Sequence, residues 1–94
     1  MPRLLDRSEI TRQLQDHQNW SVSDVLSATY ELDDFVGALD FVNRIGAVAE
    51  EMQHHPDIDI RWNKVTLMLS THSEGGITQL DIEQAVRADQ IYAG

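Results

Sequence analysis

The chain has 94 residues, the length of one small domain with a modest core, and we expect residues 1–94 to form that single domain. Its 7 basic and 16 acidic residues give a net charge of −9, which disfavours nucleic acid and anionic membrane surfaces as partners. There is no cysteine, so disulfides, thiolate metal sites and a cysteine nucleophile are excluded. We see no signal peptide and no apolar run of roughly 18 residues, so we expect a cytoplasmic protein.

The first third of the chain predicts one short helix followed by strands. Ser8 is placed to cap a helix that runs to about His17. Residues 20–22 predict a short strand that pairs, as a hairpin, with the next one. Val25 to Leu32 alternates apolar and polar side chains, which is typical of a half-buried strand, and it is a candidate edge strand of the sheet.

The middle of the chain predicts its longest helix. Asp33 or Asp34 can cap it, and Pro56 ends it because a residue before proline is pushed out of the helical region. Apolar side chains recur at steps of three and four residues, which predicts one face packed into the core. These residues are Phe35, Leu39, Val42, Ile45, Val48, Ala49 and Met52.

Two further alternating segments, residues 58–62 and 65–69, predict a second hairpin. Asn63-Lys64 lies between them, and a two-residue linker with Asn first is typical of a tight turn. With that turn, Trp62 lies opposite Val65 and the pairing continues outward from there.

The last quarter of the chain predicts a loop at Gly75-Gly76 and then a final helix. Thr78 begins this helix, and Asp81 completes an arrangement like a capping box. The order is therefore helix, strand, strand, helix, strand, strand, helix. Hairpin connections make the strands antiparallel, so we predict an α+β fold with a single-layer, four-stranded sheet and helices packed on one face.

The residues with the most chemical content are two adjacent histidines, His54 and His55, at the C-terminal end of the long helix. A helix C-terminus favours the protonated imidazole, and imidazole titrates near neutrality, so this position suits proton transfer. The predicted hairpin register places His72 opposite His55. We therefore expect the three imidazoles to line one pocket.

Other interpretations of these residues remain open. Three histidines with a bound water can hold zinc, but adjacent His54 and His55 do not match a standard zinc spacing, and we expect no metal. Asp81 is first a helix cap, and holding an imidazole would be a second role. His17 is expected to be exposed, outside the pocket. A polar helix end without chemistry is the alternative for His54 and His55.

These residues together resemble the signature of the pterin-4a-carbinolamine dehydratase family, and the resemblance covers nearly the whole chain. The matching residues are Glu50, His54, His55, Pro56, Trp62, His72 and Asp81. Two departures are mild: Trp62 stands where tyrosine is common in the family, and Gln53 where aspartate is frequent.

The resemblance implies an α+β homodimer or homotetramer that dehydrates a 4a-hydroxytetrahydropterin to quinonoid dihydropterin, without a cofactor, in support of tetrahydropterin recycling. It implies catalysis by His54, His55 and His72, with Glu50 and Asp81 as supporting residues. His54 and His72 are our choice for the acid–base pair, with His55 orienting the hydroxyl or sharing the role of the acid. Residues expected to bind the substrate are Gln53, Pro56, Ser70, Thr71, Ser73, Trp20 and Trp62. A non-enzymatic dimerisation or assembly-chaperone module on the same fold is the alternative.

Overall fold

The computed structural model describes residues 3–94; residues 1–2 of the predicted domain lie outside it. Within the described range there are three α-helices and four strands, in the predicted order. They are α1 (Arg7–Gln13), β1 (Ser21–Val22), β2 (Leu26–Glu31), α2 (Phe35–Met52), β3 (Asp57–Arg61), β4 (Lys64–Leu69) and α3 (Gln79–Ala93). The predicted α+β class is confirmed.

The four strands form one antiparallel sheet in the order β1-β2-β4-β3. β2 pairs with β4 along its whole length, from Leu26 opposite Leu69 to Glu31 opposite Lys64. The short β1 covers the start of β2 on its other side. The expected edge strand, Val25 to Leu32, is therefore an inner strand only at Leu26 and Ser27, where β1 pairs with it. From Ala28 to Glu31 it pairs with β4 alone and lies at the edge of the sheet, as do β1 and β3.

The hairpin between β3 and β4 turns one residue earlier than predicted. Arg61 pairs with Lys64, so the two central residues of the turn are Trp62 and Asn63. Trp62 has a φ of 52°, the sign required at the first central position of a type II′ turn. Asn63 makes two hydrogen bonds with the backbone of Leu32. Its side-chain amide donates to the Leu32 carbonyl at 2.9 Å, and its backbone carbonyl accepts the Leu32 N–H at 2.8 Å, which ties the turn to the end of β2.

This turn shifts the predicted pairing by two residues. Ile60, not Trp62, lies opposite Val65. The predicted pairing of His55 with His72 is therefore wrong, and the observed register, continued outward, places His55 level with Ser70. Because strand side chains alternate with a period of two, a shift of two residues leaves every side chain on its predicted face.

The core lies between one face of the sheet and the helices. Each large apolar side chain buried there contributes about 1.5–3 kcal/mol relative to its exposed state. Its sheet residues are Leu26, Ala28, Tyr30, Val65, Leu67 and Leu69, and its main helical residues are Ala38, Phe41, Ile45, Ile82, Ala85 and Ala88. The opposite face of the sheet carries polar pairs such as Thr29 and Thr66, whose hydroxyls are 2.8 Å apart.

α2 is capped by Asp34, one of the two predicted caps, whose carboxylate accepts the Gly37 N–H at 2.8 Å. Its apolar face is rotated from the predicted one, since Phe35 and Leu39 are 46% and 40% exposed. The cause is Phe41, which is buried and packs on Tyr30 with ring centroids 4.9 Å apart. Burying Phe41 turns the predicted stripe partly toward solvent.

The outer helices show one corrected and one confirmed cap. α1 is capped by Asp6, not by Ser8, because Asp6 and Glu9 form a reciprocal capping box, and the helix ends at Gln13 rather than near His17. α3 is capped by Thr78, with Asp81 completing the capping box as predicted.

Candidate active site

The C-terminal end of α2 presents the two adjacent histidines. Gln53 closes the helix in the left-handed conformation, with a φ of 52°, where glycine is the usual residue. The next backbone N–H, that of His54, donates to the Ala49 carbonyl at 3.0 Å. The chain then passes through Pro56 into β3. The helix ends at Met52, four residues before Pro56, so the left-handed Gln53 ends it and not the proline as predicted.

His54 is held by a buried carboxylate. Its side chain is 9% exposed, and its Nε2 lies 2.5 Å from Oδ1 of Asp81, which is fully buried. The other oxygen of Asp81 accepts the Thr78 N–H at 2.9 Å and the Thr71 hydroxyl at 2.8 Å. Asp81 thus caps α3 and holds an imidazole at the same time.

This contact determines which ring nitrogen of His54 is available. With Nε2 donating to Asp81, the neutral ring carries its proton on Nε2 and presents Nδ1 as an acceptor. Within residues 3–94, Oε1 of Gln84 is the one buried side-chain nitrogen or oxygen that lacks a hydrogen-bond partner. Nδ1 of His54 also makes no hydrogen bond in that range. Because it is not among the buried atoms, it is accessible to solvent.

Gln84 is a residue of this site that the sequence analysis missed. It is buried, and its Nε2 donates to the carbonyl oxygen of His54 at 2.8 Å. The spacing of three residues from Asp81 places both side chains on one face of α3, and that spacing was the available signal. Gln84 therefore fixes the backbone of His54 while Asp81 fixes its ring.

His55 faces solvent, with Nε2 2.5 Å from the carboxylate of Glu50. The two side chains are 59% and 72% exposed, so this contact contributes little to stability. Glu50, expected as a supporting residue, therefore contacts His55. The hydrogen bonds of the described chain include none between two of the three imidazoles.

His72 lies beyond the end of β4, at the start of a short 3-10 helix (His72–Glu74) that Gly75 closes with a φ of 74°. Its side chain is exposed, as is that of Ser73 beside it. It borders a surface cleft of about 270 Å³. The residues lining this cleft are Asp24, Val25, Ser70, His72, Gly75 and Gly76.

The strands bring these parts to one end of the sheet. Thr71, next to His72, donates to the same carboxylate that holds His54. Ser70 lines the cleft of His72, and the continued register of β3 and β4 places His55 level with it. The three histidines thus lie at the same end of one hairpin, His54 and His55 before β3 and His72 after β4. His54 is buried and the other two are exposed.

The two tryptophans lie elsewhere in the chain. Trp62 is 65% exposed at the tip of the hairpin, about 16 Å of strand away from its histidine end. Trp20 is buried, and its indole N–H donates to Asp89 at 3.1 Å, two turns further along α3 than Asp81. The structure does not show a contact between either tryptophan and His54, His55 or His72 of the same chain.

Asp89 is the centre of a second polar cluster, which the sequence analysis missed. His17 and Asn19 contact its carboxylate at 2.6 and 2.8 Å, and the Tyr30 hydroxyl also donates to it. His17 is therefore half-buried and paired, not freely exposed as expected. Burial pushes the pKa of Asp89 upward, but the hydrogen bonds from Tyr30, Asn19, His17 and Trp20 outweigh burial and hold that pKa below its ordinary value.

Between residues 3 and 94, no group of three or more histidine, aspartate or glutamate side chains is arranged to hold a metal ion. No helix of that range is long and apolar enough to cross a membrane.

Proteins of similar sequence share one family name. A relative from Herpetosiphon aurantiacus, provisionally named pterin-4-alpha-carbinolamine dehydratase, is 47% identical over 91 residues, which are 96% of this chain and 95% of the relative. A relative from Sulfolobus acidocaldarius with the same provisional name is 42% identical over 88 residues, 93% of this chain and 97% of its own.

Solved structures show the same fold. A transcriptional coactivator/pterin dehydratase from Brucella melitensis superposes with a TM-score of 0.91 at 30% identity, over 96% of this chain and 99% of its own. A pterin dehydratase-like protein, identified as a RuBisCO assembly factor in the alpha-carboxysome, superposes with a TM-score of 0.65 at 18% identity, over 80% and 88%. This second likeness shows the fold alone.

The family model described as pterin 4 alpha carbinolamine dehydratase matches residues 3–91. This match covers His54, His55, His72, Asp81 and every strand of the sheet. Together with the relatives and the fold, it shows that the chain belongs to the pterin-4a-carbinolamine dehydratase family.

Proposed function

We propose that this protein is a hydro-lyase that converts 4a-hydroxytetrahydropterin to quinonoid dihydropterin, in support of tetrahydropterin recycling. The observation that carries the proposal is the buried pair of His54 and Asp81, at the same end of the hairpin as His55 and His72, in a chain of this family. A pure scaffold has no need for a carboxylate that orients an imidazole with a free nitrogen.

The reaction needs one acid and one base. The bond between C4a and its hydroxyl oxygen breaks, and a double bond forms between C4a and N5. Hydroxide is a poor leaving group, so an acid protonates the departing oxygen to give water. A base takes the proton of N5. Each positioned proton transfer contributes about 10²–10⁴-fold to the rate.

The hydrogen bonds of the histidines support a division of roles. His54 donates from Nε2 to Asp81, so its Nδ1 is the acceptor suited to take the N5 proton. His72 borders the cleft and is exposed, so we assign it the proton donor for the leaving hydroxyl. His55, paired with Glu50, orients that hydroxyl. No cofactor enters this scheme.

Substrate binding is proposed at the backbone around these histidines. Gln53 and Pro56 flank His54 and His55, while Ser70, Thr71 and Ser73 flank His72. Among them Ser70 lines the cleft directly. Trp20 and Trp62 are left out of the proposed substrate site, because Trp20 binds Asp89 and Trp62 lies at the far tip of the hairpin from His54, His55 and His72.

We also propose a cytoplasmic homodimer or homotetramer. Apolar side chains remain exposed on α2, at Phe35, Val36 and Leu39, and on the edge strand β3, at Ile58 and Ile60. Burial of such surface drives association, and the small core of this chain would gain from it. Sedimentation at micromolar concentration is expected to show a dimer or tetramer, and a clean monomer would contradict this part.

The activity is tested by following the loss of enzymically generated 4a-hydroxytetrahydropterin after addition of the purified protein. The substrate also dehydrates without enzyme, so that background is subtracted. A rate proportional to protein concentration, unchanged by dialysis against a chelator, is the expected result. Activity that is lost to the chelator and restored by zinc would overturn the metal-free acid–base scheme.

The second candidate is a non-enzymatic binding module. The solved Brucella melitensis protein, which is 30% identical, is named a transcriptional coactivator as well as a pterin dehydratase, and this favours the binding module. If purified, folded protein does not accelerate dehydration, this candidate replaces the enzyme.

A further inference from the structure

The turn between β1 and β2 places an acid beside the cleft of His72. Ser23 shapes this turn, since its N–H donates to the Val25 carbonyl at 3.0 Å and its hydroxyl accepts the Val25 N–H at 3.5 Å. Asp24 lies at the tip with an exposed side chain. In the part of the chain that the structure describes, no hydrogen bond or ion pair involves its carboxylate.

Strand pairing explains why Asp24 reaches this cleft. Leu26 lies opposite Leu69, so the register of β2 and β4, continued outward, places Val25 level with Ser70. Val25 and Ser70 both line the cleft, together with Asp24 and His72. The turn therefore forms one wall of a site whose other side carries a proposed catalytic imidazole.

The composition of the cleft selects a flat ligand with N–H donors. Gly75 and Gly76 contribute backbone without side chains. A Cβ on Gly75 would meet no atom within 4 Å, which leaves room for a ring there, whereas a Cβ on Gly76 would lie 3.0 Å from the Leu4 side chain. The lining includes no lysine or arginine that would neutralise Asp24. Hydrogen bonds to an ionised carboxylate are stronger than those to a neutral acceptor, and its two oxygens can accept two parallel N–H groups at once.

We infer that Asp24 determines substrate specificity by accepting the 2-amino group and the N3–H of the pterin ring. This inference rests on the proposed function for the identity of the ring. These two N–H groups are adjacent and parallel, so one carboxylate can bind both. C4a lies across the pyrimidine ring from C2, so this contact directs C4a away from Asp24 and into the cleft that His72 borders.

The experiment compares Asp24→Asn with Asp33→Asn. Both remove one charge from an exposed acid, but Asp33 lies beyond the other end of β2, about 20 Å of strand away. In the dehydration assay, Asp24→Asn is expected to raise KM by about 10-fold or more and to change kcat by less than about 3-fold. Asp33→Asn is expected to leave both unchanged.

A binding titration provides the readout that does not depend on catalysis. The probes are oxidised biopterin, which has the 2-amino group, and a lumazine with the same side chain, which has an oxygen there. The wild type is expected to bind the pterin at least 10-fold more tightly than the lumazine, since the oxygen faces the carboxylate. Asp24→Asn is expected to remove most of this preference.

The outcomes separate this inference from the proposed function. The inference is overturned if Asp24→Asn keeps the wild-type KM and pterin preference, or if its KM is the same as that of Asp33→Asn. The proposed function still stands in that case, provided that the wild type is active. If the wild type does not dehydrate the substrate but binds pterin through Asp24, the function fails and the ring contact stands. A wild type that binds neither probe overturns the inference.

Discussion

At the scale of single residues, the three histidines have three different surroundings. His54 is buried against Asp81, His55 is exposed and paired with Glu50, and His72 is exposed beside a cleft. A buried carboxylate fixes both the tautomer and the orientation of a ring, which an exposed ion pair does only weakly. His54 is therefore the most constrained imidazole of the site.

Replacing His54 or His72 with alanine should lower the dehydration rate by about 10²-fold or more, the scale of one lost acid or base. The double variant should lose less than the product of the two single losses, because groups that act together are not additive. Initial rates, corrected for the spontaneous reaction, measure both effects.

His17→Ala is the matched control. It removes a histidine that contacts Asp89, away from the proposed site, so stability should fall while the rate of the folded protein stays the same. If His54→Ala and His72→Ala both remain folded and keep nearly full activity, the proposed site is wrong.

Asp81→Asn should lower both stability and activity, because Asp81 receives hydrogen bonds from the cap of α3 and contacts the ring of His54. Loss of charged acceptors at a buried position costs about 1–3 kcal/mol of the free energy of unfolding. Thr78→Ala removes the cap side chain and leaves the carboxylate in place. The midpoint of urea denaturation and kcat should therefore both fall in Asp81→Asn. In Thr78→Ala the midpoint should fall while kcat changes little. Equal kcat losses in the two would contradict a positioning role for Asp81.

At the scale of elements, the ends of α2 and of β3 use side chains where glycine is usual. Gln53 and Trp62 both have a φ of 52°. This conformation costs a residue with a Cβ roughly 1–2 kcal/mol relative to the right-handed region. Gln53 leads directly into His54, and Trp62 turns the hairpin whose other end carries the histidines.

Trp62→Gly should stabilise the monomer fold by up to about 1 kcal/mol, because glycine adopts a positive φ without a steric penalty. Arg61→Gly, one residue earlier and in extended β3, should instead destabilise it by roughly 0.5–1 kcal/mol. Urea midpoints for the two variants measure the difference. Destabilisation by Trp62→Gly as large as that by Arg61→Gly would mean that the exposed indole makes contacts that outweigh the strained backbone.

At the scale of the whole molecule, Asp89 connects α3 to the segment before β1 and to β2. His17, Asn19 and Trp20 reach it from that segment, and Tyr30 from the sheet. Burial and the hydrogen bond to Asp89 raise the pKa of Tyr30 well above its ordinary value. The cluster therefore binds three parts of the fold through one carboxylate.

Asp89 should make the protein sensitive to acid. Its pKa in the folded chain lies below the unfolded value of about 3.9, so its contribution is present above that value and is lost as pH falls through the folded pKa. Asp89→Asn should cost about 1–3 kcal/mol at pH 7 and should flatten the fall in stability below about pH 4. Denaturation midpoints from pH 2 to 7 test this. If the midpoint of Asp89→Asn falls with acid as steeply as that of the wild type, the prediction is contradicted.

The amino-acid sequence by itself determined the fold class, the order of the elements and the family. Alternating strands and the capping box of Thr78 and Asp81 are local signals, and a local signal is readable along the chain. The spacing of His54, His55 and His72 was equally readable. It indicated one end of the hairpin correctly even though the predicted register was wrong by two residues, since a shift of two keeps the faces.

Tertiary structure alone decided the rotation of α2, the turn at Trp62 and the surroundings of each histidine. Phe41 and Phe35 are equally apolar, and only packing on Tyr30 selects Phe41 for the core. Asp89 meets residues about 60 to 70 positions away in the chain. Such contacts depend on how the elements pack in space, and no periodic pattern along the sequence encodes that packing.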